Sequence, residues 1–101
     1  MSENEITVDY IIDATHLTWV EENLINELLD FIGDKTGAIV EIDGNKILIG
    51  FEEEKLSKRN IRTYIKRFLY KYELLDRLRV ISSGPDEYTI HKRKYVDVRN
   101  L

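Results

Sequence analysis

Within residues 5–14 the apolar side chains Ile6, Val8, Ile11 and Ile12 return in a loose two-residue alternation, which predicts a first strand that ends at Asp13-Ala14-Thr15-His16. The period then lengthens. Val20, Leu24, Leu28 and Phe31 recur at helical spacing, and Thr18 with Glu21 three positions on reads as a capping box, so a first helix is expected over 19–32 with Gly33 as its stop. Two short apolar runs, Ala38-Ile39-Val40-Glu41-Ile42 and Lys46-Ile47-Leu48-Ile49-Gly50-Phe51, flank Asp43-Gly44-Asn45 and predict a hairpin. After an acidic tip at Glu52, Glu53 and Glu54, Ile61, Ile65, Phe68 and Tyr72 fall on one helical stripe with Tyr64 beside it. A second helix is expected over 58–72. Leu78-Arg79-Val80-Ile81-Ser82 and Tyr88-Thr89-Ile90-His91, joined through Gly84-Pro85-Asp86-Glu87, predict a closing hairpin.

The order β-α-β-β-α-β-β points to an α+β sandwich in which two helices lie on one face of a mixed or antiparallel sheet. With 101 residues, the chain has room for one domain, 1–101, whose charged segment 92–101 extends the last strand or lies loose. No cysteine is present, which excludes disulfides, thiolate nucleophiles and cysteine metal sites. Apolar runs are only a few residues long and the start, Met-Ser-Glu-Asn-Glu, is not that of a signal peptide, so a cytoplasmic protein with no membrane partner is expected.

Charge changes this picture of a generic small fold. The net charge is −4, but residues 1–54 hold fourteen acidic side chains against two basic ones, Lys35 and Lys46, whereas residues 55–101 hold thirteen basic against five acidic. The sign reverses between Glu54 and Lys55. Lys55, Lys58, Arg59, Arg62, Lys66, Arg67 and Lys71 occur within seventeen residues without one acid. Arg59, Arg62 and Lys66, at i, i+3 and i+7, share a face turned away from the apolar stripe. A solvated helix ordinarily mixes signs to gain i,i+4 pairs, so this row suits a polyanion, the plainer reading being a basic solvated face. Arg77, Arg79, Lys92, Arg93, Lys94 and Arg99 are candidates to extend it.

Other chemistry is thinly supported. Asp13 and His16 resemble a base and its orienter but lack a nucleophile, and His16 is better read as fixing the turn after the first strand. Glu52, Glu53 and Glu54 read as hydrated acids rather than a metal site, His91 is at best a lone ligand, and Gly33 and Gly37 lack phosphate-loop spacing. Helix-turn-helix, zinc-knuckle and heptad patterns are absent, which leans toward RNA, and without a ribonucleoprotein aromatic box the lean is toward backbone or shape recognition. Of the helix-two tyrosines, Tyr64 and Tyr72 fall on the apolar side, and Tyr70 does not.

Leu56-Ser57-Lys58-Arg59, then Ile61-Arg62, Lys66-Arg67-Phe68-Leu69, Lys71, Leu74, Asp76 and Leu78-Arg79-Val80, resembles the signature of the eukaryotic-type large-subunit ribosomal protein family L22e. Asp13-Ala14-Thr15-His16 is similar to that family's Asp-x-Thr-His. Position 70 is Tyr where the family commonly has Lys, and position 77 is Arg where it commonly has Trp. The resemblance implies a non-enzymatic structural constituent of the large ribosomal subunit, cytoplasmic on the ribosome, that binds a structured segment of large-subunit ribosomal RNA beside neighbouring ribosomal proteins. It implies neither a cofactor, a metal nor a small-molecule substrate. The expected RNA-binding set is Lys55, Lys58, Arg59, Arg62, Lys66, Arg67, Lys71 and Arg79. The alternative is an extraribosomal protein-interaction module that docks its basic half on an acidic partner.

Overall fold

The computed structural model describes residues 7–93, so the start of the expected first strand and the segment from Lys94 onward lie outside the described residues. In chain order the elements are β1 (Tyr10–Asp13), α1 (Thr15–Val20), α2 (Leu24–Thr36), β2 (Ile39–Asp43), β3 (Lys46–Gly50), α3 (Lys58–Lys71), β4 (Leu78–Gly84) and β5 (Glu87–Lys92). The strands form one sheet in the order β2-β3-β1-β5-β4. Every neighbouring pair is antiparallel except β1 with β5, which is parallel. The expected sandwich is therefore present on a mixed sheet, and both predicted hairpins form it, β2–β3 on one side and β4–β5 on the other.

Register decides which face is buried. Tyr10 opposite Ile49, and Ile12 opposite Ile47 and Tyr88, point into the core, whereas Asp13 opposite Lys46 and Thr89 points away. Ile90 and Leu78 continue the buried face on β5 and β4. Against it pack Leu17 from α1, Leu24, Ile25, Leu28 and Ile32 from α2, and Ile61, Ile65, Phe68 and Leu69 from α3, all in one cluster. Within that layer α1 rests on β5, α2 on β2 and α3, and α3 on β4.

The first helix differs from its expectation. It is two helices, and the expected capping box, Thr18 with Glu21, spans the end of the first. Asp13 Oδ1 accepts hydrogen bonds from both the backbone N–H (3.1 Å) and the hydroxyl of Thr15 (2.7 Å), so helical geometry starts three residues before Thr18. Thr18 is inside α1, its hydroxyl donating to the Thr15 carbonyl at 2.6 Å, and Glu21 is extended (φ −158°, ψ 128°) where the chain leaves α1. The apolar spacing carries straight through this break, because Leu17 and Leu24 are both buried. Periodicity alone conceals it.

Gly33 does not stop α2 either. A helix tolerates an interior glycine at about 1 kcal/mol, and here a Cβ would sit 3.2 Å from Val40 Cγ2 on β2, so the bare backbone lets strand and helix approach. The helix ends instead at Gly37, left-handed at φ 70°, whose N–H donates to the Gly33 carbonyl at 2.9 Å.

His16 tethers α1 to β5. Its Nδ1 accepts the Lys92 N–H at 2.8 Å, its ring stacks on Trp19 with centroids 4.2 Å apart, and the His91 ring lies 4.3 Å away. His91 Nδ1 in turn donates to the Lys92 carbonyl at 2.7 Å. A neutral His16 with its proton on Nε2 fits this arrangement. Partial burial first, then the charges of His91 and Lys92, hold the His16 pKa below its ordinary 6.5, with Asp13 opposing them.

Three outcomes are expected. Because a depressed histidine pKa gives stability that is complete above the unfolded value and is lost as pH falls through the folded one, acidification from about pH 7.5 to about pH 5.5 should lower the wild-type Tm more than that of His16→Asn, whose amide oxygen still accepts from Lys92. Parallel Tm–pH curves would exclude the tether as the titrating group. In urea titrations Gly37→Ala should cost about 1 kcal/mol, having free space but the wrong φ. Gly33→Ala should be near neutral, its propensity gain of about 1 kcal/mol offset by the contact with Val40.

Candidate nucleic-acid interface

The cationic surface is built on α3. Ser57 caps the helix, its side chain accepting from Asn60 N–H at 3.3 Å, and the stripe Ile61, Ile65, Phe68 and Leu69 is fully buried. With those four positions fixed toward the sheet, 100° steps place Arg62, Lys66 and Arg59 successively around the flank toward solvent and Arg67 and Lys71 on the other side. All five are exposed. The first turn contains no acidic residue and carries Lys58 and Arg59, opposite in sign to what the positive helix N-terminus favours.

The eight expected residues do not form one uniform set. Lys58 is half-buried and fastened to the β4–β5 hairpin, its Nζ donating to Ser82 Oγ and the Gly84 carbonyl and lying 4.7 Å from the Tyr88 ring centroid. It ties the start of α3 to the sheet. Lys55 precedes the helix, exposed, with Nζ 5.1 Å from the Tyr10 ring, whose hydroxyl donates to the Leu56 carbonyl. Arg67 stands with its guanidinium carbon 5.6 Å from the Tyr64 ring. Lys71 lies beside α2, with Nζ 5.8 Å from the Phe31 ring and 5.7 Å from the Tyr72 ring.

Arg62, Lys66 and Arg79 converge. They line an open hollow of about 360 Å³ with Leu75, Val80 and Arg93. Arg93 was only one of several C-terminal cations whose direction the sequence left unfixed. Its position follows from hairpin register, since Leu78 pairs with Lys92 and the Arg93 N–H then donates to the Arg77 carbonyl at 2.8 Å. Its Nε also donates to the Leu75 carbonyl, which holds the side chain against the loop after α3. Counting the register back from the Gly84-Pro85-Asp86-Glu87 turn is the signal that would have found it. Four cations around one hollow repel one another and are relieved by an anion that accepts from several at once, as a phosphate does.

Near the α2–α3 contact the chemistry is different. Tyr72 Oη donates to Glu27 Oε2 at 3.0 Å, and that bond raises the phenol pKa above its ordinary value. Glu27, Asp30 and Asp34 border this groove together with Lys35 and Lys71, so it carries both signs. Asp13 and His16, the pair considered for acid–base chemistry, are engaged with Thr15 and Lys92 as joints of the fold. Among the described residues no group of three or more His, Cys, Asp or Glu side chains is placed to hold a metal ion. Nor is any described helix long and apolar enough to cross a membrane.

The model of one family, described as the Ribosomal L22e protein family, matches residues 4–100. No curated protein gives a match. The family match takes in every strand and helix described above, including α3, β4 and β5, which together carry the cationic hollow. The chain therefore belongs to the Ribosomal L22e protein family, whose members are structural proteins of the large ribosomal subunit.

Proposed function

We propose that this protein grips a structured segment of large-subunit ribosomal RNA with α3, acting in the cytoplasm on the ribosome as a single RNA-binding unit spanning residues 1–101. The observation that carries the reading is the convergence of Arg62 and Lys66 from α3 with Arg79 from β4 and Arg93 after β5 around one open hollow. Phosphates enter the hollow and run along the exposed row of Arg59, Arg62 and Lys66. Arg67 and Lys71 meet phosphates on the other flank, and Lys55 before the helix. Lys58 contributes positioning, through its bonds to Ser82 and Gly84, as well as charge.

Cations on a rigid helix read the spacing of phosphates, which in RNA reports helical form rather than base identity. Such contacts release counterions, so affinity falls steeply with salt. The ribosomal setting supplies the RNA and the neighbouring proteins. The acidic first half faces away from RNA, toward solvent or basic neighbours.

Sedimentation of native lysate tests the assignment directly. The protein should travel with large subunits and be released by a high-salt wash, whereas recovery only in free fractions would overturn the reading. On a helical ribosomal RNA fragment, Arg62→Ala with Lys66→Ala should weaken binding and flatten the log–log salt slope by about 1.5–2. Unchanged binding would remove these residues from the interface. Lys58→Ala should behave differently, lowering stability by about 1–2 kcal/mol in urea titrations because a half-buried charged hydrogen-bond donor is lost, with less change in slope than the double variant.

A further inference from the structure

Tyr70 is the exception on the cationic face. It lies one helical turn beyond Lys66 and is 74% exposed, far more than Val8, Trp19 or Ile39 at 37–42%. Tyr64 and Tyr72, by contrast, pack against the core. Beside it the chain turns sharply. Glu73 takes a left-handed φ of 56°, and the Leu74 N–H returns to the Leu69 carbonyl at 2.8 Å, folding residues 74–77 back under the helix end. The result is an open hollow of about 490 Å³ whose walls are Tyr70, Tyr72, Glu73, Leu75, Asp76 and Arg77.

This hollow differs in chemistry from the phosphate-binding one. Two carboxylates on its wall repel a phosphate, while an exposed aromatic ring offers a face to any flat, uncharged ring. Ionised carboxylates only accept hydrogen bonds, so the group that enters must present donors. Among the bases, guanine alone carries two adjacent donors on its Watson–Crick edge, N1–H and N2–H, a spacing that one carboxylate accepts with both oxygens. Arg77, half-buried, completes the same wall.

We propose that this hollow receives one unpaired guanosine extruded beside the RNA helix held by Arg62 and Lys66, with its base stacked on Tyr70 and its edge donating to Glu73 or Asp76. The inference rests on the RNA-binding reading and adds a base contact to a surface that otherwise reads shape. Tyr70 is then a specificity-determining residue. Its effect is independent of salt, because stacking releases no counterions.

The test uses the full chain and two short RNA hairpins, one with an uninterrupted stem and one with a single unpaired guanosine inserted, measured by fluorescence anisotropy over a series of salt concentrations. The wild type should bind the interrupted hairpin about tenfold more tightly. Tyr70→Ala should abolish that preference and leave the salt slope unchanged, Tyr70→Phe should retain it, and Glu73→Gln with Asp76→Asn should lose the advantage of guanosine over an unpaired uridine. Equal binding of both hairpins by the wild type, or a preference that survives in Tyr70→Ala, would overturn the proposal while the phosphate-binding reading stands. Failure of the wild type to bind either hairpin with a salt-dependent affinity would overturn both.

Discussion

Burial of one stripe of α3 governs the rest of the structure. Ile61, Ile65, Phe68 and Leu69 are fully buried, and removing each from water is worth roughly 1.5–3 kcal/mol. Repulsion between like charges a turn apart on an exposed helix is only about 0.2–0.5 kcal/mol per pair. The burial term wins, so the helix holds its rotation before any polyanion arrives. The backbone positions of the cations are thereby set in advance, and only their exposed side chains are left to order.

That same comparison explains what was legible in the sequence. Helix α3 and both hairpins could be read because each is specified locally, by one uninterrupted stripe or by turn residues between two apolar runs. The break between α1 and α2 could not, since Leu17 and Leu24 keep a common phase across it and Asp13 starts the helix from outside the periodic segment. Gly33 misled for a related reason. Its role is set by Val40, a contact made only when β2 returns beside α2. On the candidate interface the identities of the α3 cations were readable. Their company was not, because Arg93 reaches the hollow through strand pairing and Lys58 is occupied by a hairpin more than twenty residues further along the chain.

The reversal of charge along the chain becomes a reversal across the fold. Strands β2 and β3 and helix α2 come from the acidic half and lie toward one edge of the sheet, whereas β5, β4 and α3 come from the basic half and lie toward the other. A net charge of −4 therefore conceals a strongly polarised particle. Near a polyanion one edge is drawn in as the other is pushed out, which orients approach and suppresses inverted encounters.

The parallel pairing of β1 with β5 bears on how the protein is made. β1 is the middle strand, and its two partners come from opposite sides of the sequence, with Ile12 pairing both to Ile47 and to Tyr88. As a nascent chain lengthens, β1, β2 and β3 are made first. The β5 side of the sheet has to wait for a contact of long sequence separation, the slow kind in folding. Because α3 rests on β4, and Arg93 follows β5, the hollow shared by Arg62, Lys66, Arg79 and Arg93 takes shape only when this late closure occurs. A partly synthesised chain carries its acidic portion before the basic portion that completes the core has been made. The order of synthesis thus delays the cationic hollow until the sheet is complete.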